Sequence, residues 1–293
     1  MTRLLASVAT LDELTLAARG GADILDLKDP KAGALGAWAL DGIARAVNTA
    51  RSWPVRPPLS ATVGDLPMEP AAVTDRVART WACGVDYVKI GLVPSGDLAG
   101  NPAGCVAALA PEARRGARIV AVLFADLWDD ADQLLPDIAR AGFAGAMLDT
   151  AGKGSGGLLR HKDLGQLAGF VERARALGLL TGLAGSLAVE DIATLLPLGP
   201  DYLGFRTALC AGADRGGALD PAALASVRSA VPPHADRSGG HCPVPCFGGP
   251  ELLPPCDTEP PPMVPCRCPA RELSGSAPVP LEAPVPGDAP GEP

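Results

Sequence analysis

Hydrophobic residues in the first 231 positions fall into short runs rich in Val, Ile, Leu and Ala, separated by longer stretches in which apolar residues recur at helical spacing. The short runs predict eight strands: LLASVA (4–9), ILDLKD (24–29), LSATVGD (59–65), YVKIGL (87–92), RIVAVLFAD (118–126), GAMLDT (145–150), LLTGLAGS (179–186) and YLGFRTAL (202–209). The amphipathic stretches predict helices over 10–20, 39–51, 70–83, 101–115, 129–141, 162–178, 188–197 and 220–230. Several end at a glycine just before the next strand, as helix C-termini commonly do. Strictly alternating βα units imply a parallel sheet, and eight of them within about 230 residues match a (β/α)8 TIM barrel in count, order and length. A doubly wound open sheet is the alternative. It would normally carry a glycine-rich turn after the first strand, and VATLDEL has no glycine.

Beyond Val231 the pattern stops. Residues 232–293 are dominated by Pro, Gly, Cys and Ser without apolar periodicity, and such a segment buries too little apolar surface to offset its ordering entropy. The expected organisation is one catalytic barrel over 1–231 and a disordered Pro/Gly/Cys-rich C-terminal tail over 232–293.

Alternation along the strands selects the residues that face the barrel lumen. On the second strand Leu25 and Leu27 face the helices, so Asp26 and Lys28 face inward, and Lys28 stands at the C-terminal mouth where barrel enzymes do their chemistry. On the fourth strand Val88 and Ile90 point out, and Tyr87 and Lys89 point in. On the sixth, Met147 and Asp149 point in, with Lys153 four residues on in the loop DTAGKGSGG. A lysine at a strand end is ordinarily a solvated surface group. Of 25 basic residues, however, only five are Lys (28, 31, 89, 153 and 162), and three of those five are in register with one mouth. An amine can lose its proton and add to a carbonyl, whereas a guanidinium stays charged. An inward amine that is desolvated beside a second cation deprotonates more easily. Asp149 reads either as an ion-pair partner or as an acid/base. For an anionic substrate, backbone N–H groups of Gly185 and Ser186 in LAGSL, together with Arg206 or Thr207 after the last strand, form a candidate phosphate site, Arg206 being inward by parity with Tyr202 and Gly204.

Charge and cysteine usage narrow the field. A net charge of −8 argues against a broad footprint for nucleic acid or anionic membrane, so an anionic substrate must be held by local groups. No stretch approaches the roughly 20 apolar residues of a membrane span, and the N-terminus lacks a long apolar segment with a cleavage site, so the expected location is cytoplasmic. Cys83, Cys105 and Cys210 lie far apart and read as small buried hydrophobes. The tail cysteines 242, 246, 256, 266 and 268 have irregular Pro/Gly spacers that suit zinc poorly. His161, His234 and His241 stand at no strand end, so neither a metal site nor a histidine-based nucleophile is expected.

The runs GGADILDLKDPKAGALGA (20–37), LSATVGDLP (59–67), GVDYVKIGL (84–92), GFAGAMLDTAGKGSG (142–156), LAGSLAVEDI (183–192) and DYLGFRTALC (201–210) closely resemble the (5-formylfuran-3-yl)methyl phosphate synthase family of methanogens and methylotrophic bacteria. The likeness runs from residue 2 to about 231 and leaves out the tail. The resemblance implies a TIM-barrel lyase of methanofuran biosynthesis, without an organic cofactor, that condenses two molecules of glyceraldehyde 3-phosphate into a furan aldehyde phosphate and releases phosphate and water. By the same resemblance Lys28, in the D-x-K-x-P motif with Asp26 and Pro30, is the Schiff-base lysine, with Asp26 beside the substrate. Lys89 is the proton acceptor, and Asp149 with Lys153 form an acid/base pair. Gly152 and the glycines that follow Lys153 depart from the family's V-D-T-A-x-K type of pattern. The expected partner is a small phosphorylated triose, and association into a homo-oligomer stays open. The rivals are another class I aldolase or phosphate-sugar isomerase on the same fold, and a non-catalytic phosphate-ligand barrel with an interaction tail. Two inward lysines at one mouth disfavour the latter, because phosphate binding alone needs no amine that can deprotonate.

Overall fold

A computed structural model of the chain describes residues 1–94, 101–152 and 156–232. Its strands are β1 (Arg3–Val8), β2 (Ile24–Leu27), β3 (Leu59–Thr62), β4 (Tyr87–Leu92), β5 (Ile119–Phe124), β6 (Gly145–Asp149), β7 (Leu180–Leu183) and β8 (Tyr202–Phe205). They pair in chain order, all parallel, and β8 returns to β1 to close the barrel. The helices are α1 (Leu11–Arg19), α2 (Leu40–Arg51), α3 (Pro70–Ala82), α4 (Pro102–Arg114), α5 (Leu135–Arg140), α6 (Leu158–His161), α7 (Leu164–Ala176), α8 (Val189–Leu195) and α9 (Pro221–Ala230). The predicted TIM barrel is therefore the observed one. The tail and Lys153 lie outside the described residues, and no described helix is long and apolar enough to cross a membrane.

Several helices start on side-chain caps of the kind that satisfy otherwise orphaned N–H groups. Thr10 accepts from the Glu13 amide, Asn101 from that of Gly104, and Asp220 from those of Ala222 and Ala223. Asp163 and Gln166 form a reciprocal capping box that starts α7 at Leu164. The stretch predicted as one helix over 162–178 thus opens later, after the separate turn α6.

Side-chain alternation sorts the core into two layers. Leu25, Leu27, Val88, Ile90, Ala146 and Leu148 point outward and pack under the helices, while Leu5, Ile24, Tyr87, Val120, Val122, Met147 and Tyr202 fill the lumen. Both parities match the sequence reading. Each fully buried Leu or Ile in these layers contributes about 1.5–3 kcal/mol of transfer free energy. The β2–α2 loop folds inward: Leu35 is completely buried against the inner layer.

Candidate active site

At the C-terminal end of the strands lies a cleft of about 460 Å³ whose walls include Ser7, Lys28, Lys89, Asp149, Gly185, Ser186, Arg206, Thr207 and Arg215. Strand polarity and parity bring these residues together from distant parts of the chain. Lys28 immediately follows β2, Lys89 is the third residue of β4, and Asp149 ends β6. Each lies inward because its neighbours Leu27, Val88, Ile90 and Leu148 are anchored in the outer core.

The Lys28 amine donates to Asp149 Oδ2 at 3.2 Å, and both residues are 7% exposed. The other carboxylate oxygen, Oδ1, accepts from the Thr150 amide at 2.8 Å, which fixes the carboxylate plane. Burial pulls the Lys28 pKa below the ordinary lysine value; Asp149 opposes this, Lys89 reinforces it, and Asp26 and Arg215 act more weakly in opposite senses. The consequence is an amine that sheds its proton more readily than one in water.

Lys89 has a different setting. Its amine donates to Asp26 Oδ2 at 2.9 Å, and Asp26 also accepts from Ser7 Oγ at 3.0 Å and, on Oδ1, from Ser60 Oγ at 2.6 Å. Asp26 is completely buried and does not line the cleft. Expected beside the substrate, Asp26 instead stands behind Lys89 and anchors its amine. On the other side of Lys89 the lumen holds a second, smaller pocket lined mainly by Leu5, Ile24, Tyr87, Val120, Leu180 and Tyr202, with Arg3 and Ser60.

The loops after β7 and β8 carry the remaining candidates. Gly185 has φ 109°, and a Cβ there would meet Thr150 Cγ2 at 2.9 Å, so only glycine lets this loop pack against the end of β6. Ser186, exposed at the rim, has φ 50°, a strained value for a non-glycine residue. Thr207 opens a 3₁₀ turn at the same rim. Arg206 lines the cleft, yet all five of its N–H donors are directed elsewhere: Nη1 to Glu13 Oε2 (2.5 Å) and the Ser7 carbonyl, Nη2 to Glu13 Oε1 and the Gly217 carbonyl, and Nε to the Arg215 carbonyl. The phosphate-gripping role expected of Arg206 does not fit that geometry, because no donor is left over. The residue clamps the β8–α9 loop to the end of β1.

Sequence reasoning missed Arg215, Ser7 and Ser60. Ser7 and Ser60 were accessible by the same parity that found Asp26, since each is inward on its strand. Arg215 sits in the loop ADRGG, where no periodicity applies. Lys162 also tempers the argument from lysine scarcity: its amine is spent on the Trp128 and Asp129 carbonyls, at 2.7 and 2.9 Å.

A closed parallel barrel with a buried, deprotonation-prone lysine and a second lysine in one cleft defines a TIM-barrel enzyme with an amine at its catalytic mouth. Among solved structures, 3-hexulose-6-phosphate synthase matches with a TM-score of 0.56 at 17% identity over 79% of this chain and 100% of that one. Phosphoribosyl anthranilate isomerase of Thermus thermophilus matches at 0.51 and 18%, covering 78% of this chain and 98% of its own. At such identities the likeness concerns the fold alone. The sequence comparisons are more specific: a model of the 4-HFC-P synthase family matches residues 4–228. The (5-formylfuran-3-yl)methyl phosphate synthase of Methanococcus maripaludis is 36% identical over 225 residues, covering 72% of this chain and 91% of the relative. That of Methanosarcina barkeri is 33% identical over 219 residues, covering 72% and 91%. A Methylorubrum extorquens protein that bears the same synthase name provisionally is 43% identical over 240 residues, covering 80% and 95%. The chain belongs to the 4-HFC-P synthase family.

Proposed function

We propose that the chain condenses two molecules of glyceraldehyde 3-phosphate into (5-formylfuran-3-yl)methyl phosphate for methanofuran biosynthesis, through an imine on Lys28. Two triose phosphates equal one furan aldehyde phosphate, one phosphoric acid and two waters, with no change in overall oxidation level. The overall balance therefore needs no external oxidant or reductant, only a carbonyl activator and well-placed proton donors and acceptors. The observation that carries the reading is the Lys28 amine, buried over the cleft with its pKa lowered and Lys89 in the same cavity.

One triose isomerises to its ketone, a proton transfer that needs a base and an acid near neutral pH. The neutral Lys28 amine adds to the carbonyl carbon and water departs, leaving an imine whose nitrogen, once protonated, accepts electron density from the adjacent carbon. That sink eases loss of phosphate and formation of the carbon–carbon bond to the second triose. Lys89, held by Asp26, is assigned the proton transfers. Asp149 is assigned the imine nitrogen, next to which it already lies, with Lys153 as its partner in acid/base chemistry. Gly185, Ser186 and Thr207 supply backbone and hydroxyl donors for a phosphate at the rim. Ring closure and dehydration then yield the furan. Incubation with glyceraldehyde 3-phosphate, followed by an absorbance scan, should reveal a conjugated furan aldehyde and release of inorganic phosphate. Conversion of the triose to an unconjugated sugar phosphate would instead mark an aldolase or isomerase.

A further inference from the structure

The four cations that line the cleft among the described residues are not equivalent. Lys28 faces Asp149, Lys89 faces Asp26, and Arg206 faces Glu13. Arg215 has no carboxylate within ion-pair distance among the described residues, although Asp149 and Asp65 are near enough to favour its charged form against the pull of burial. It is also held in place. Its Nη2 donates to the carbonyls of Gly33 and Ala34 at 3.2 and 3.3 Å, so the β8–α9 loop reaches across the end of β1 to the β2–α2 loop. That second loop is pinned in turn: Asp65, after β3, accepts from the Ala34 and Leu35 amides at 2.7 and 2.9 Å. Gly33, at φ 120°, admits this arrangement because a Cβ would fall 2.0 Å from Asp65 Oδ2. Nη2 is thus committed to positioning, whereas Nε and Nη1 have no partner among the described residues. A fixed guanidinium with free donors in a cleft is suited to a phosphate.

We propose that Arg215 holds the phosphate of the second triose, the one that joins the triose already bound as an imine on Lys28. The proposal rests on the function argued above. That reaction brings two dianions into one cleft. The rim of β7 and β8, with Gly185, Ser186 and Thr207, offers one anion position, and Arg215 offers a second, on the side of the mouth toward β2. Asp65 acts through the loop as a positioning residue for Arg215.

The experiment separates imine formation from condensation. Arg215→Ala, Arg215→Lys and Asp65→Asn are compared with the unaltered protein in two assays: borohydride trapping of glyceraldehyde 3-phosphate on Lys28, and furan formation as a function of triose concentration. Arg215→Ala should keep trapping within about twofold while furan formation at low triose falls about ten- to a hundredfold, the range for loss of a charged hydrogen-bonded contact. Arg215→Lys should recover part of that loss, and Asp65→Asn should raise the triose concentration needed for half-maximal rate without changing trapping. Thermal melting of each variant separates these effects from unfolding, and if Arg215→Ala melts early, the folded Lys variant carries the comparison. Unchanged furan kinetics in folded Arg215→Ala and Arg215→Lys, or a loss of trapping that parallels the loss of furan, would overturn the assignment. No trapping in the unaltered protein would indict the imine reading itself and take this proposal with it, which distinguishes the two failures.

Discussion

Two lysines share one cleft, and the aspartates that hold them are set differently. At the end of β2, Lys28 meets Asp149 at 3.2 Å across the barrel, and that carboxylate receives one further donor, the Thr150 amide. Inside β4, Lys89 meets Asp26 at 2.9 Å, and Asp26, wholly buried, is also gripped by the Ser7 and Ser60 hydroxyls. The first pair lies in the open upper layer, where a substrate carbonyl can replace the carboxylate as the neighbour of the amine. The second is a braced post that holds one amine at the cleft wall. A nucleophile must leave its partner in order to react, whereas a proton carrier benefits from staying put. Under the proposed function, this difference in bracing favours Lys28 as the nucleophile and Lys89 as the proton carrier more than proximity to the cleft, which both amines share.

Short of losing the nucleophile itself, the most damaging change to this division of labour is loss of the braced amine. Lys89→Ala should lower furan formation by about 10²–10⁴-fold, the usual contribution of a positioned acid/base, while imine trapping on Lys28 persists. Lys89→Arg should not rescue, since a guanidinium cannot accept a proton near neutral pH. Near-normal turnover by either variant would break the comparison. Removing the post instead of the amine should cost stability: Asp26→Ala strands a buried ammonium and should lower the unfolding free energy by about 3–5 kcal/mol, read by denaturant melting. Asp149→Ala, at the more open pair, should cost clearly less, and equal losses would mean that the two pairs are braced alike.

The pH profile sharpens the contrast. Only the neutral Lys28 amine attacks a carbonyl, so kcat/KM should rise with pH along a limb that lies below the ordinary lysine value of 10.5. Asp149 stabilises the ammonium, so Asp149→Asn should move that limb to lower pH. Lys89 has the opposite sign, and in Lys89→Met the limb should move to higher pH in whatever activity or trapping remains. Stability follows the same linkage. Between the depressed pKa of the folded state and about 10.5, the unfolded chain binds more protons at Lys28, so this residue makes the fold more stable as pH rises through that window. A limb unmoved by Asp149→Asn, with kcat changed alone, would show that Asp149 acts on a later step.

Parity was the part of the molecule most legible in the sequence. Eight apolar runs with alternating faces were enough to place Asp26, Lys28, Lys89 and Asp149 inside one barrel, because outward residues such as Leu25 and Val88 must be buried under helices. Strand ends were less legible. The runs predicted to 65, 186 and 209 end at Thr62, Leu183 and Phe205, since their last residues are drawn into the loops that make the rim. Hydrophobicity persists there for loop packing, as at Leu187 and Leu209, and not for sheet pairing. Arg206 shows a second limit. Its inward position was readable, but its engagement with Glu13 spans 193 residues, and nothing local in the sequence announces it. Arg215 was invisible for the converse reason: a loop arginine acquires meaning only from the loop it touches.

The proposed division between a nucleophile at Lys28 and a braced proton carrier at Lys89 is tested most directly by where substrate carbon becomes attached. Borohydride added while the protein turns over glyceraldehyde 3-phosphate should reduce an imine and leave a triose-derived mass on the peptide that contains Lys28. Lys28→Arg, which keeps the charge, should give neither the adduct nor the furan. An adduct found only on Lys89 or Lys153 would reverse the roles, and furan formed with no adduct at all would contradict the Schiff-base mechanism.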